Sequence, residues 1–260
     1  MVEHEGGLRM VSDPGVTLID VMHNPELLAS EKAPETIDQD ALVAPLRPGK
    51  VVAIGLNYRD HVRETGMELP ERPLVFAKFP SSVIGPGAPV EIDPALTARV
   101  DWEVELAVVI GRRTRRVSRD DALGAVYGYT VANDISARDV QFADGQWTRG
   151  KSFDSFCPLG PLVVTADEVP DPQALSLETT VNGERTQDSS TAEMVFGVAE
   201  LIVFCSASFT LEPGDVILTG TPWGCGEFMD PPRSLKAGDE VVVSVGGVGS
   251  LANPVVEAGR

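Results

Sequence analysis

A run of ten residues, Asp101 to Ile110, alternates acidic with apolar side chains and fits a β-strand better than any other element. Successive side chains of a strand point to opposite faces, so Glu103 and Glu105 share one face. The apolar residues Trp102, Val104, Leu106 and Val108 share the other. The run therefore predicts a strand with one apolar face and one face on which two carboxylates converge.

Two carboxylates on one face of an apolar strand repel each other and lose hydration, which is costly unless a cation or a shared proton compensates. A third carboxylate, Asp134, follows in the segment Asn133 to Asp139. With no His or Cys beside them, Glu103, Glu105 and Asp134 suit Mg²⁺ or Mn²⁺ rather than zinc. The alternative is a strand edge whose glutamates face solvent.

The charge balance limits the partners of this chain. Its 39 acidic and 21 basic residues give a net charge of −18, which argues against nucleic acid or an anionic membrane as the main partner. The three cysteines form no CxxC pair, which fits a reducing compartment. No signal peptide and no long apolar stretch is apparent. We expect a cytoplasmic protein that acts on a small molecule.

Short β-branched runs indicate a mainly β fold with α (α+β) and a few peripheral helices. The predicted strands cover 51–54, 106–110, 162–165, 216–219 and 241–245, and the clearest predicted helix covers 191–205. Shorter helices are expected near Asp120 and His61. Four prolines interrupt the first 45 residues. We expect a small N-terminal appendage over 1–45 and a main domain over 46–260.

His61 and Glu64 are three residues apart in a segment that predicts a short helix, so the carboxylate can reach the imidazole. A carboxylate that orients a histidine fixes its tautomer and raises its basicity, as a general base requires. The alternative is a surface pair without a chemical role.

Further segments carry side chains that could contact a ligand. Arg138 and Lys151 are candidate contacts for an anion. The glycine-rich turn from Thr219 to Gly226 would let backbone amides approach a ligand, and Thr221 adds a hydroxyl. This turn lacks the Gly-Lys-Ser/Thr ending of a phosphate loop, so it does not indicate nucleotide binding.

Five of these motifs follow one another in the order that is typical of the fumarylacetoacetate hydrolase family. They are Gly55-Leu-Asn-Tyr-Arg-Asp-His61, Glu103-Val-Glu-Leu106, Asn133-Asp-Ile-Ser-Ala-Arg-Asp139, Gly150-Lys-Ser-Phe-Asp154 and Gly220-Thr-Pro222. The chain resembles this family from residue 46 to residue 256. The resemblance implies a mixed β-roll fold, a homodimer, and a Mg²⁺ or Mn²⁺ ion at Glu103, Glu105 and Asp134.

The resemblance also implies roles for other residues. His61 and Glu64 match the dyad that activates water and is carried on a lid, and Lys151 is grouped with them as a catalytic residue that contacts the substrate. The substrate-binding positions match Arg138, Gln141 and Thr221. The expected partner is a small anionic 2-oxo acid.

Three functions remain open from the sequence. The first is a metal-dependent hydrolase or decarboxylase that cleaves a carbon–carbon bond of an acylpyruvate or related diketo acid through an enolate. The second is an isomerase or tautomerase of a 2-hydroxy-dienoate in the catabolism of aromatic compounds. The third is a non-catalytic protein that binds a ligand.

One segment departs from the family pattern. Many relatives have small or apolar residues where this chain has Trp223, Cys225, Glu227 and Asp230. These side chains would narrow the pocket and make its rim acidic. The alternative is that Trp223 packs on the surface and Cys225 is an inert small residue.

Overall fold

Short strands dominate the computed structural model, which describes residues 2–4, 7–9, 16–24, 26–27, 36–37 and 42–259. Within these ranges the strands are β1 Val2–His4, β2 Gly7–Arg9, β3 Thr36–Ile37, β4 Val51–Gly55, β5 Leu74–Lys78, β6 Val83–Ile84, β7 Val90–Ile92, β8 Val100–Asp101, β9 Val104–Ile110, β10 Val126–Asn133, β11 Ser136–Ala137, β12 Cys157–Thr165, β13 Ser176–Val181, β14 Glu184–Ser190, β15 Val216–Leu218, β16 Glu240–Val245 and β17 Gly249–Glu257. The α-helices are α1 Leu18–His23, α2 Arg59–Thr65, α3 Arg119–Ala122, α4 Arg138–Asp144 and α5 Val198–Ser208.

Two mixed sheets form the body of the molecule. The larger has seven strands in the order β5-β4-β15-β9-β10-β12-β6, and the smaller has five in the order β14-β13-β16-β17-β7. Most neighbours are antiparallel, while β4 with β15, β6 with β12 and β7 with β17 are parallel. The prediction of a mainly β, α+β fold with mixed sheets and few helices is therefore confirmed.

The main core lies on the face of the seven-stranded sheet that also receives side chains of the five-stranded sheet and of α5. Leu106 and Val108 of β9 belong to this core, together with Val243 of β16 and Leu201 of α5. A second apolar cluster includes Ala107 and Val109 of β9. Successive residues of β9 thus point to opposite faces, as the sequence pattern predicts.

The parallel pairing of β4 with β15 determines where the candidate site lies. Val51 faces Val216 and Ala53 faces Leu218, so the two strands end at the same edge of the sheet. Helix α2 follows β4, and the turn from Thr219 to Gly226 follows β15. These two segments are therefore neighbours although more than half of the chain separates them in sequence.

The predicted helix over 191–205 is wrong in its first part. Residues Thr191–Glu193 form a 3-10 turn, and the α-helix covers Val198–Ser208. Between them, the backbone amides of Val195 and Phe196 donate to the carbonyl and the side-chain oxygen of Asn57. Because Asn57 already satisfies these amides, the helix begins only after Gly197, whose amide donates to Glu200.

The N-terminal region contributes a three-stranded sheet, β1-β2-β3, and the helix α1. Thr17 caps α1 by accepting a hydrogen bond from the Asp20 amide, and Leu18 and Met22 pack against the second apolar cluster. The division into 1–45 and 46–260 stays a prediction. No helix in the described part of the chain is long and apolar enough to cross a membrane.

Candidate active site

The three carboxylates singled out in the sequence converge in the interior. Glu105 of β9 pairs with Ala132 of β10, and the amide of Asp134 donates to the carbonyl of Glu103 over 2.9 Å. One oxygen from each of Glu103, Glu105 and Asp134 lies within 4.8 Å of the others. Their side chains are buried, so they do not face solvent at a strand edge.

Three cations surround this carboxylate cluster of Glu103, Glu105 and Asp134. The Lys151 ammonium lies 2.6 Å from Glu103 Oε2 and 2.9 Å from Asp134 Oδ2. Lys78 donates to Asp134 Oδ1 over 2.6 Å. The Arg138 guanidinium lies 2.7 Å from Glu103 Oε1. Glu103 and Asp134 are therefore each paired with two cations.

Glu105 differs from its two neighbours. In the described part of the chain it forms no ion pair, and Oε2 accepts a hydrogen bond of 2.6 Å from the Gly220 amide. Burial and repulsion by Asp134 and Glu103 raise the pKa of Glu105 well above the ordinary value. Burial also acts to raise the pKa of Glu103, but attraction by Lys151 and Arg138 lowers it to about 2.

This arrangement fits a divalent cation. The donors are all carboxylate oxygens, which Mg²⁺ and Mn²⁺ prefer. Glu105 is the carboxylate of the cluster without an ion pair in the described part of the chain, and burial and repulsion by Asp134 and Glu103 raise its pKa. A cation held by Glu103, Glu105 and Asp134 would remove the repulsion that acts on Glu105.

On α2, the buried His61 pairs with the partly buried Glu64. His61 Nδ1 lies 2.9 Å from Glu64 Oε2, and the other carboxylate oxygen accepts a hydrogen bond of 2.8 Å from the Gly224 amide. The His61 ring packs edge-on against Phe228, at 5.4 Å between ring centroids. His61 is 6% exposed, so the alternative of a surface pair is wrong.

The turn after β15 faces α2. Thr221 is buried, and its hydroxyl accepts a hydrogen bond of 2.9 Å from Gln187 Nε2. Gln187 is fully buried; its Nε2 also donates to the carbonyl of Pro222 over 3.0 Å and its Oε1 accepts from the Val104 amide. Gln187 therefore fixes the position of Thr221 relative to β9.

Gly224 allows this turn to fold tightly. Its φ is +95°, and a Cβ at this position would lie 2.1 Å from the carbonyl oxygen of Thr186. Only glycine fits both the backbone conformation and the space. The same turn directs the Gly224 amide to Glu64 and places Cys225 beside the pair.

Helix α4 supplies two further side chains of the candidate site. Arg138 Nη1 donates to Gln141 Oε1 over 3.1 Å, one turn further along the helix. Arg138 also binds Asp101, which in turn accepts hydrogen bonds from the amides of Gly226 and Glu227. Asp101 thus connects α4 to the segment that carries Cys225 and Phe228.

The residues that depart from the family pattern have different surroundings. Trp223 is 45% exposed, and its Nε1 donates to the carbonyl of Asp188. Cys225 is buried, and its pKa is raised well above the ordinary value by burial and by Asp101. Glu227 forms an ion pair with Arg99, and Asp230 is exposed. Cys225 is therefore the one of these four whose side chain reaches His61 and Glu64.

Two residues of the site were not predicted from the sequence. Lys78 is 1% exposed and binds both Asp134 and the Ile135 carbonyl. Lys78 lies on the same face of β5 as the buried Phe76. This spacing could have identified it, because a lysine on the buried face of a strand needs a buried partner. Gln187 gave no comparable signal, since its partners lie on segments distant in sequence.

Comparison with known proteins finds a matching family model and similar chains. A family model described as Fumarylacetoacetate (FAA) hydrolase C-terminal matches residues 50–256. The chain is 48% identical over 219 residues to oxaloacetate tautomerase fahd2, mitochondrial, of Xenopus laevis, a match that covers 83% of this chain and 68% of that protein.

Two solved structures show the same architecture. The 2-hydroxyhepta-2,4-diene-1,7-dioate isomerase of Mycobacterium marinum has a TM-score of 0.74 and 41% identity, over 84% of this chain and 78% of that one. The fumarylacetoacetate hydrolase (EaFAH) of psychrophilic Exiguobacterium antarcticum has a TM-score of 0.82 and 40% identity, over 93% and 88% of the two chains.

Proposed function

Because the chain belongs to the fumarylacetoacetate hydrolase family, we propose that it moves a proton on a small 2-oxo acid, as a keto–enol tautomerase or an isomerase of a 2-hydroxy-dienoate. This is the second of the three functions that the sequence left open. The names of the relatives support it, since one is an oxaloacetate tautomerase and one a hydroxy-dienoate isomerase.

The observation that carries the proposal is the buried pair of His61 and Glu64 beside the carboxylate cluster. Glu64 holds His61 Nδ1 at 2.9 Å, which leaves Nε2 for a proton of the substrate. His61 lies close enough to Glu103 for its charge to act on the pKa of that carboxylate. The proton acceptor and the candidate metal ligands therefore belong to one site.

Glu103, Glu105 and Asp134 would hold Mg²⁺ or Mn²⁺, which when bound supplies a Lewis acid that draws electron density from the keto and carboxylate oxygens of a 2-oxo acid. The side chains of the protein do the remaining work. His61 moves one proton between the enol oxygen and a conjugated carbon of the substrate, which in a keto–enol tautomerase is the carbon next to the keto group. Lys151 keeps Glu103 and Asp134 in position through its two ion pairs.

Arg138, Gln141 and Thr221 would bind the anionic part of the substrate. Arg138 and Gln141 are already oriented toward each other, and the Thr221 hydroxyl is fixed by Gln187. Preorganised donors of this kind bind a carboxylate with little loss of side-chain entropy. A small 2-oxo acid presents the carboxylate that these side chains need.

Hydrolysis or decarboxylation of a diketo acid, our first expectation from the sequence, remains the second candidate. Its support is the likeness to the hydrolase of Exiguobacterium antarcticum and the same dyad, which could activate water instead of moving a substrate proton. Tautomerisation is favoured because it requires no water positioned for attack and no leaving group.

The test follows oxaloacetate and acetylpyruvate in parallel, with Mg²⁺, with Mn²⁺ and with EDTA. We expect the enol absorbance of oxaloacetate to decay faster with the protein and the metal, without release of pyruvate or CO₂. Substituting His61→Ala should slow this step by about 10²- to 10⁴-fold, the usual contribution of a general acid–base group. The matched control is Arg63→Ala on the same helix, where the side chain is 68% exposed and pairs, among the residues that the structure describes, with Glu193 alone.

Each outcome selects one function. Metal-dependent pyruvate release that His61→Ala abolishes would overturn the tautomerase and establish the hydrolase or decarboxylase. Neither reaction, beside measurable metal binding, would favour the isomerase of a 2-hydroxy-dienoate over the keto–enol tautomerase. The non-catalytic protein would be favoured if that dienoate is also left unchanged by the protein and by His61→Ala alike. The cytoplasmic location stays a prediction, which fractionation of cells that express the full chain would check.

A further inference from the structure

A second group of potential metal ligands lies beside the carboxylate cluster and has a different chemical character. One ligand atom from each of His61, Glu64 and Cys225 lies within 4.8 Å of the others. The group offers a nitrogen, an oxygen and a sulfur, whereas the carboxylate cluster offers oxygens only. Glu64 is 15% exposed at its side chain, so a solute can approach the group from that side.

The turn after β15 holds Cys225 against α2. The Gly224 amide donates to Glu64 Oε1 over 2.8 Å, which ties the backbone next to Cys225 to the pair. Among the described residues, the hydrogen-bond contacts of the Cys225 sulfur are weak ones with Gln187 Nε2 and the Pro222 carbonyl, each at 3.9 Å. The thiol is thus held near the imidazole without a strong hydrogen bond of its own.

The spacing and the donor types suit a borderline-soft metal. With Zn–S near 2.3 Å and Zn–N near 2.0 Å, the ligand atoms of a tetrahedral zinc site lie about 3.5 Å apart. The ligand atoms of His61, Glu64 and Cys225 lie within 4.8 Å of one another, so small side-chain rotations would bring them to that spacing. Mg²⁺ prefers oxygen ligands, so it would bind the carboxylate cluster rather than the group of His61, Glu64 and Cys225.

We propose that His61, Glu64 and Cys225 form an inhibitory site for Zn²⁺ and similar thiophilic cations, separate from the carboxylate cluster. Binding exchanges one proton for the metal: the Cys225 thiol loses its proton to solvent and the sulfur becomes a ligand. No oxidation or reduction takes place. A metal held by the His61 nitrogen prevents His61 from accepting a proton, so the consequence for catalysis rests on the function proposed above.

Binding is tested first, without substrate. Co²⁺ serves as the optical probe, because a cobalt ion bound to a thiolate gives a charge-transfer band in the near ultraviolet that a carboxylate site lacks. Zn²⁺ affinity is measured by equilibrium dialysis with Mg²⁺ present in excess. The intact protein should show the band and bind Zn²⁺, with release of a proton. The band should be absent from Cys225→Ala and from the conservative variant Cys225→Ser.

The affinity for Zn²⁺ should fall by more than about tenfold in both variants, since even groups that only support a metal ligand contribute about 10- to 100-fold. Cys205→Ala is the matched control, because Cys205 is equally buried but lies in α5, outside both ligand groups. An unchanged band and affinity in both Cys225 variants would overturn the proposal. Circular dichroism of each variant verifies that it folds.

The effect on activity is tested separately. In whichever reaction the protein catalyses, both Cys225 variants should keep the basal rate and lose most of the inhibition by Zn²⁺. Zinc could instead inhibit by binding at the carboxylate cluster. In that case excess Mg²⁺ would reverse the inhibition, and the Cys225 variants would be inhibited as strongly as the intact protein, which overturns the proposal. If the protein catalyses none of the proposed reactions, the proposed function is wrong. The cobalt band still shows whether Cys225 is a metal ligand.

Discussion

At the scale of single residues, Glu103 and Glu105 are close neighbours with opposite electrostatic surroundings. Glu103 binds Lys151 and Arg138, and its pKa falls to about 2. Glu105 has no such partner in the described part of the chain, and burial and the neighbouring carboxylates raise its pKa. The same substitution, glutamate to glutamine, should therefore have opposite effects on the stability of the metal-free protein at these two positions.

Glu105→Gln should increase the free energy of unfolding by at least about 1 kcal/mol, since one unit of pKa shift corresponds to about 1.4 kcal/mol. The folded state binds the Glu105 proton more tightly than the unfolded chain does. Stability therefore falls as the pH rises above the ordinary pKa of glutamate, and glutamine does not have this cost. Urea titration at pH 7 with EDTA measures the change, and loss of stability in this variant would contradict it.

Glu103→Gln should decrease the free energy of unfolding by up to about 3–5 kcal/mol, because it removes one of the two carboxylate partners of buried Lys151 and of buried Arg138. From the sequence, this substitution is expected to remove metal-dependent activity without unfolding the protein. The two ion pairs of Glu103 add the expectation that the folded protein becomes less stable. Calorimetric titration with Mg²⁺ should show weaker binding in both variants. If the two metal-free variants prove equally stable, the different surroundings of Glu103 and Glu105 do not affect stability in opposite directions.

Alternation along β9 was enough to predict from the sequence that Glu103 and Glu105 share a face. It could not predict Lys78, whose partner Asp134 lies just after β10, or Gln187, whose contacts join three segments. Side chains that meet through the packing of distant segments leave no periodic signal in the sequence.

At the scale of elements, helix predictions are correct where the interactions are local and wrong where a distant segment binds the backbone. Helix α2 was expected from local spacing, and the interaction that matters within it, His61 with Glu64, is local as well. The predicted helix over 191–205 is wrong at its start because Asn57 binds the backbone of Val195 and Phe196. A periodic apolar pattern does not reveal a backbone partner from a distant segment.

The turn after β15 yields a prediction with an internal control. Gly224 and Gly238 have almost the same φ, +95° and +96°, but a Cβ at Gly224 would meet the Thr186 carbonyl while a Cβ at Gly238 meets nothing within 4 Å. Gly238→Ala should cost about 1–2 kcal/mol, the cost of a left-handed residue. Gly224→Ala should cost more and should also reduce activity, because it moves the amide that binds Glu64.

Thermal unfolding and the rate of the His61-dependent reaction measure these effects. If Gly224→Ala and Gly238→Ala prove equally stable and equally active, the close approach to Thr186 does not determine the shape of the turn.

At the scale of the whole molecule, the three cysteines should be unreactive in the folded protein. All are buried, and burial raises the pKa of Cys157 and of Cys205 to about 12. Since the thiolate is the reactive form, a higher pKa lowers the reactive fraction at pH 8. An aromatic disulfide reagent should modify three thiols in denaturant and fewer than one without it. Rapid modification of a folded thiol would show that the interior opens.

The homodimer implied by the family resemblance is a prediction for the whole molecule. Phe79 and Phe142 are 55% and 51% exposed, which is unusual for large apolar side chains and would be explained by an interface. Light scattering after size-exclusion chromatography should give twice the mass of one chain. The mass of a single chain at micromolar concentration would show the prediction to be wrong.

The mixed β architecture was predictable from the sequence, but the order of the strands was not. Runs of β-branched residues indicate where strands lie, and the shared motifs indicate the family. Nothing local indicates that β15, the third-last strand, lies between β4 and β9, because that order depends on pairing between remote segments.

The late position of β15 in the chain has a consequence during protein synthesis. A ribosome completes β4 and β9 long before it reaches Val216–Leu218, the strand that pairs with both. Until then β4 and β9 each have an unpaired edge in the middle of what becomes the larger sheet. Unpaired edges can pair with other chains. A nascent chain that stalls before residue 216 would thus be prone to aggregate, so chaperones would be needed most between the synthesis of β9 and that of β15.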